Sequence, residues 1–220
     1  MVPPQKGTHM MIFQRMVTFQ GPPDEIGAWA LEITEAVNTR TQLATTLWQG
    51  TFGVPVGSLA WSAIVDNLTA LEAANDALLG DAGYLSLVAK AAPWATTAPQ
   101  DSWLQTIHTS GGEFVRARVG SYSENIMAIP APGKLAAAGV FGVEMADLHT
   151  QLTHAPVLFC SSAYGAFGEL RWLAMYESAA AVDTAAELVA KDEEYGAKLD
   201  AAGDLFVAGM ARRVLARRIA

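Results

Sequence analysis

The chain contains one cysteine, Cys160, among 220 residues. That count excludes an intrachain disulfide and any multi-cysteine metal site, and it fits a reducing, cytoplasmic compartment. Charged residues are also scarce, at 16%, against 51% hydrophobic residues. This is the composition of a globular chain with a sizeable core, not of a disordered one. Positive charge is scarcer than negative: the net charge is −8 and the pI is near 4.9. Such a surface repels phosphate backbones, so no nucleic-acid partner is expected. No apolar run reaches the roughly 18 residues of a membrane span. Residues 1–10, with Pro3, Pro4 and Gly7, lack the charged-then-apolar order of a secretion signal and read as a disordered leader or expression remnant. There is no Walker sequence, dinucleotide fingerprint or nucleophile elbow. His-x-x-x-His and Glu-x-x-His spacings are missing too, which removes the usual zinc and di-iron ligand sets, and no metal is expected.

What the chain does have is an internal repeat. Shifted by 111 residues, Leu47–Tyr84 falls on Leu158–Tyr195 without a gap, and nine of the 38 positions are identical. The Gly-x-Leu-x-Trp-x-Ala run (Gly57 to Ala63, Gly168 to Ala174) and the Asp-x-x-Tyr pair (Asp81/Tyr84, Asp192/Tyr195) carry the match. Two copies at so long a period indicate a duplicated half-domain, not a solenoid. The halves are expected over 11–110 and 111–220.

Hydrophobic periodicity supplies the elements. In the first half a strand runs over 11–20, stopped by Gly21-Pro22-Pro23, and a helix follows to about Arg40. Strands over 43–52 and 59–66 are joined by a Gly-rich hairpin turn. A second helix follows from Leu68, with Thr69 and Glu72 at capping-box spacing, and a fourth strand covers 102–109. In the second half a strand is expected over 114–122, then a helix to about Leu152. A hairpin of 157–163 and 169–177, a helix over 179–190, a shorter one near Tyr195 and a last strand over 213–219 complete it. Each half reads β-α-β-β-α-β, the ferredoxin-like order. Such a unit covers one sheet face with helices and leaves the other open, so two units can close their open faces into an intrachain α+β barrel. Element order, duplication and the Trp and Asp-x-x-Tyr pattern resemble the dimeric α+β barrel superfamily with two units fused in tandem, and within it NIPSNAP-like domains. The resemblance implies a fold; the superfamily's chemistries are too varied to imply one reaction.

Parity on the expected strands selects candidate residues. Arg116, Arg118 and Tyr122 share one face of the 114–122 strand, and Thr106 and His108 share one face of the 102–109 strand. Pointing into the barrel, Arg116 and Arg118 would hold an acidic or enolisable, otherwise apolar ligand. His108 or Tyr122 would then move a proton. The competing reading has this face wet and both arginines on a surface ladder. Trp61 and Trp172, and Tyr84 and Tyr195, read as packing anchors, and Cys160 as an inert strand residue. The resemblance also implies an alternative: the haem proteins of the superfamily, chlorite dismutases and coproheme decarboxylases, carry a proximal histidine roughly where His149 stands. The Gly-Arg-x-Tyr that follows it there is replaced here by Thr150-Gln151-Leu152-Thr153. Three functions are thus expected to compete. One is a small-molecule-binding barrel, catalytic without metal or cofactor as an isomerase, cyclase or cofactor-free monooxygenase. The second is a haem protein, and the third a non-catalytic structural or interaction protein with a filled barrel. A homo-oligomer is compatible with each.

Overall fold

Strand β1 (Met11–Thr18) sends Phe13 and Val17 to one side and Ile12, Gln14 and Met16 to the other. The structure is a computed structural model, and it describes residues 10–111 and 117–220. Helix α1 (Pro23–Arg40) begins with proline in its first turn, followed by Asp24 and Glu25, which suit the positive helix start. It lays Ile26, Trp29, Ala30 and Ile33 on the sheet. Strands β2 (Thr46–Phe52) and β3 (Ser58–Val65) form a hairpin. Its Gly57 holds φ +85 against the Phe19 carbonyl, where any Cβ would collide with backbone. Helix α2 (Leu68–Leu79) is capped by the Asn67 side chain, which accepts from the Ala70 amide; the expected Thr69/Glu72 box is not the cap. Helix α3 (Ala82–Lys90) starts at Asp81, whose carboxylate accepts from the Tyr84 amide at 2.6 Å. Strand β4 (Gln100–Ser110) ends this half.

The second half runs β5 (Tyr122–Ala128), α4 (Leu135–Thr153), β6 (Val157–Tyr164), β7 (Leu170–Tyr176), α5 (Ala179–Lys191), α6 (Glu193–Ala201) and β8 (Arg212–Arg218). Asp192 caps α6 through the Tyr195 amide at 2.7 Å, so the Asp-x-x-Tyr pattern is a helix start in both halves. All eight strands close in the order β1-β3-β2-β8-β5-β7-β6-β4. Within each half the order is fourth-first-third-second strand, which leaves two edges. Antiparallel pairing of β2 with β8 and of β4 with β6 removes all of them. The protein is α+β, with its helices outside a closed antiparallel barrel. Among the described residues no helix is long and apolar enough to cross a membrane.

One expected element is displaced. Phe114, Val115 and Arg116 lie outside the described residues; Ala117 to Ser121 form an irregular segment and turn, and the strand starts at Tyr122. The apolar alternation of that strand is disguised because it buries Glu124 on its helix-facing side. The last strand, β8, forms despite its Arg-rich sequence.

Candidate functional site

The barrel is hollow. A cavity of about 660 Å³ lies within it, in the range that accepts small organic ligands. Strand parity decides its lining. Trp172, Ala174 and Tyr176 of β7 pack under helices, which turns Arg171, Leu173 and Met175 inward. Asn125 and Met127 enter from β5, Gln14 and Met16 from β1, and Val214, Ala216 and Arg218 from β8. Ile12, Leu104, Leu158, Cys160 and Leu173 pack as an apolar cluster beside it. Cys160 is fully buried, and burial pushes its thiol up to about 11, which makes it an inert core residue.

The polar part of the wall centres on Arg171. Its Nε donates to Glu169 Oε1 at 2.5 Å and its Nη1 to Gln14 Oε1 at 3.1 Å and to Ser102 Oγ at 3.4 Å. Both ion-pair partners are nearly buried, with side chains 11% and 12% exposed. Arg212 and Arg218 add positive charge, whereas the other lining acid, Asp101, is already held by Arg15 in a two-point salt bridge. The lining thus carries three arginines and two carboxylates, although Arg218 already donates to the Ala220 and Ala117 carbonyls. Asn125 adds a further polar group, and its Oδ1 is buried with no hydrogen-bond partner among the described residues.

The expected site residues that the structure describes do not converge here. Arg116 lies outside the described residues. Arg118 is exposed, in the segment before β5. Tyr122 sits on the helix-facing side of β5 and packs on the second half's outer core. His108 faces outward as well: its Nε2 lies 2.7 Å from Asp147 Oδ1 on α4. The reason is a break in register between Thr106 and His108 on β4, which flips strand parity after Thr106, so that Thr106 still reaches Cys160 while His108 pairs beside Phe159. Burial works against the charged form of Asp147, but hydrogen bonds from His108 and Ser110, with the nearby His108 charge, hold it below the usual carboxylate range. Arg171 and Glu169, which the sequence reading did not single out, take the place in the cavity wall. The signal was Trp172: a tryptophan fixed under a helix puts its strand neighbour Arg171 inside.

His149 belongs to a second polar cluster, between the sheet and α4. Its Nε2 lies 2.9 Å from the Tyr176 hydroxyl, which donates to Glu124 Oε2 at 3.1 Å, and Arg213 Nε donates to the other Glu124 oxygen. The adjoining cavity is about 180 Å³, below the roughly 300 Å³ at which pockets for drug-sized ligands begin. With Nε2 engaged and so little space, the residues present do not fit haem at His149. Burial pushes the His149 imidazole below its ordinary value; Glu124 opposes this and Arg213 adds to it. The sign follows. The unfolded chain binds the proton more readily, so the stability contributed by neutral His149 is complete above about pH 6.5 and is lost as pH falls below it. Thermal melts should show stability declining below about pH 6.5, by at most about 1.4 kcal/mol per pH unit from this residue. His149→Gln should flatten that decline, and an unchanged slope would show that another group is responsible.

No protein-family model and no curated protein matches the chain. Solved structures do. A monooxygenase candidate from Fusobacterium nucleatum superposes with a TM-score of 0.71 at 5% identity, over 97% of this chain and 94% of the other. The chain has the dimeric α+β barrel fold. An anthrone oxidase-like protein matches this barrel at a TM-score of 0.66 and 13% identity, over 98% and 93% of the two chains. A chlorite dismutase from Candidatus Nitrospira defluvii, solved with cyanide, matches it at 0.55 and 10%, over 95% and 91%. At these identities the likeness extends to the α+β barrel itself and not to its chemistry.

Proposed function

We propose that the barrel interior binds a small, largely apolar molecule with an acidic or enolisable head, and that the protein acts on it without metal or cofactor. The observation that carries this reading is the hollow interior of about 660 Å³ with Arg171 in its wall. A non-catalytic barrel held together by its own packing would be filled. Methionines at the wall (Met16, Met127 and Met175) suit an apolar ring system, because unbranched thioethers adapt to its outline. Arg171 and Arg212 would hold the acidic end. Glu169, beside Arg171, is the lining carboxylate placed to accept a proton from it. The likeness to a monooxygenase candidate and to an anthrone oxidase-like protein agrees with an enolisable aromatic substrate and an isomerase, cyclase or cofactor-free oxygenase reaction.

The probe is 1-hydroxy-2-naphthoate, an aromatic ring system with a carboxylate and an enol-like hydroxyl, titrated by calorimetry. Saturable binding at micromolar concentrations is expected, and it should be abolished by Ala216→Trp, which fills the cavity from β8. Asn125→Leu should weaken binding while raising the stability of the empty protein by about 1–2 kcal/mol, because an unpaired buried amide oxygen is removed. Failure to bind, or binding indifferent to Ala216→Trp, would sink the proposal.

A further inference from the structure

The space between helices and sheet is packed differently in the two halves. In the first, Phe19, Trp29, Trp61 and Trp94 fill it edge to face, with centroids 5.1–6.4 Å apart. The Trp29 Nε1 donates to the Leu87 carbonyl, which ties α1 to α3. In the second half the position 111 residues after Trp29 is Val140, which is exposed on α4. The helix instead offers Ala138, Gly142, Met145 and Ala146 to the sheet. Trp172 reaches Phe159 and Phe206, but a cavity of about 180 Å³ is left beside Trp172 and Phe206. The same shift replaces apolar Phe13 and Val65 with Glu124 and Tyr176. The second half thus leaves a space unfilled beside a hydrogen-bonded polar cluster.

We propose that this second cavity is a binding site for a neutral, single-ring phenol. The volume sets the size, since an apolar cavity of about 150 Å³ accommodates benzene. Ile126, Phe141, Met145, Trp172 and Phe206 supply an apolar wall for a ring. At its polar end are Glu124, His149 and Tyr195. The Tyr195 hydroxyl has no hydrogen-bond partner among the described residues, while its ring lies 6.3 Å from that of His149. Burial raises the Tyr195 pKa, so the hydroxyl stays protonated and can both donate and accept. Glu124 is already balanced by Arg213, so the pocket asks for no cation, and its carboxylate repels an anion. A phenol hydroxyl therefore suits it better than an ammonium or a carboxylate. Leu199 and Ala211, both exposed, lie where a ligand can enter. The inference is independent of the reading of the barrel interior.

The test titrates the full-length protein with 4-fluorophenol by ¹⁹F NMR, with fluorobenzene as the hydroxyl-free control, and soaks crystals with 4-bromophenol. For so small a ligand a Kd of about 0.1–1 mM is expected. Tyr195→Phe should weaken 4-fluorophenol several-fold and leave fluorobenzene unchanged. Ala146→Leu, which fills the cavity, should abolish binding of both, and the barrel-filling Ala216→Trp should not. Bromine density between α4 and β7 supports the site even if Ala146→Leu does not fold. Bromine inside the barrel only, loss of binding in Ala216→Trp but not in Ala146→Leu, or no binding at about 10 mM overturns it.

Discussion

Gly142→Ala is expected to destabilise the protein by about 2–3 kcal/mol, lowering Tm by about 5–10 °C. On helix propensity alone the sign would be opposite, because alanine is favoured over glycine inside a helix by about 1 kcal/mol. Packing reverses it. Gly142 lies on α4 directly over Phe159, and a Cβ there would stand 2.1 Å from the ring, with two further ring carbons within 2.7 Å. Phe159 is fully buried and stacked on Trp172 at 5.0 Å, so it has no room to retreat. The Gly142 carbonyl also accepts from Trp172 Nε1 at 2.9 Å, so moving the helix away lengthens a hydrogen bond. Gly139, one turn earlier on the same helix, would have nothing within 4 Å of its new Cβ. Gly139→Ala should therefore gain about 0.5–1 kcal/mol. Chemical denaturation of the two variants side by side tests the close approach; two shifts of the same sign would refute it.

Arg171→Met should cost about 3 kcal/mol and abolish binding of an acidic ligand in the barrel. The loss of stability arises from what is left behind. The Glu169 carboxylate is 12% exposed and takes a 2.5 Å hydrogen bond from Arg171, so removing the cation strands a nearly buried anion. Adding Glu169→Gln removes that charge, and the double variant should recover most of the stability, since a buried ion pair adds little over neutral replacements. Binding should not recover, because the arginine is needed to hold the ligand. A double-mutant cycle read by both denaturation and calorimetry separates the two effects. Additive stability losses would mean that the pair is solvated and that the cavity wall is not formed as described.

Much of this molecule was legible in one dimension because the determining forces are local or repeated. The alternation in Met11–Thr18, the Trp61 and Trp172 strands and the proline and acidic start of α1 each depend on residues a few positions apart. Even the displaced strand carried a signal. The 111-residue shift places Met11 on Tyr122, where β5 begins, but the local apolar pattern before it outweighed the repeat. Glu124 hid the strand because its burial is offset by Arg213 and Tyr176, which are 89 and 52 residues away.

The sequence by itself therefore determined the α+β class and the run of eight strands that build the barrel, since these follow from hydrophobic periodicity. Tertiary structure alone decided the sites. The bulge near Ile107 turned His108 out to Asp147, a one-residue slip that reverses every later side chain on its strand. Closure of the barrel brought Met16, Met127 and Met175, scattered in sequence, onto one cavity wall, and placed Arg171 next to Gln14 from 157 residues away. Whether the interior was hollow depended on the sum of side-chain volumes meeting across eight strands, a quantity that no local pattern encodes.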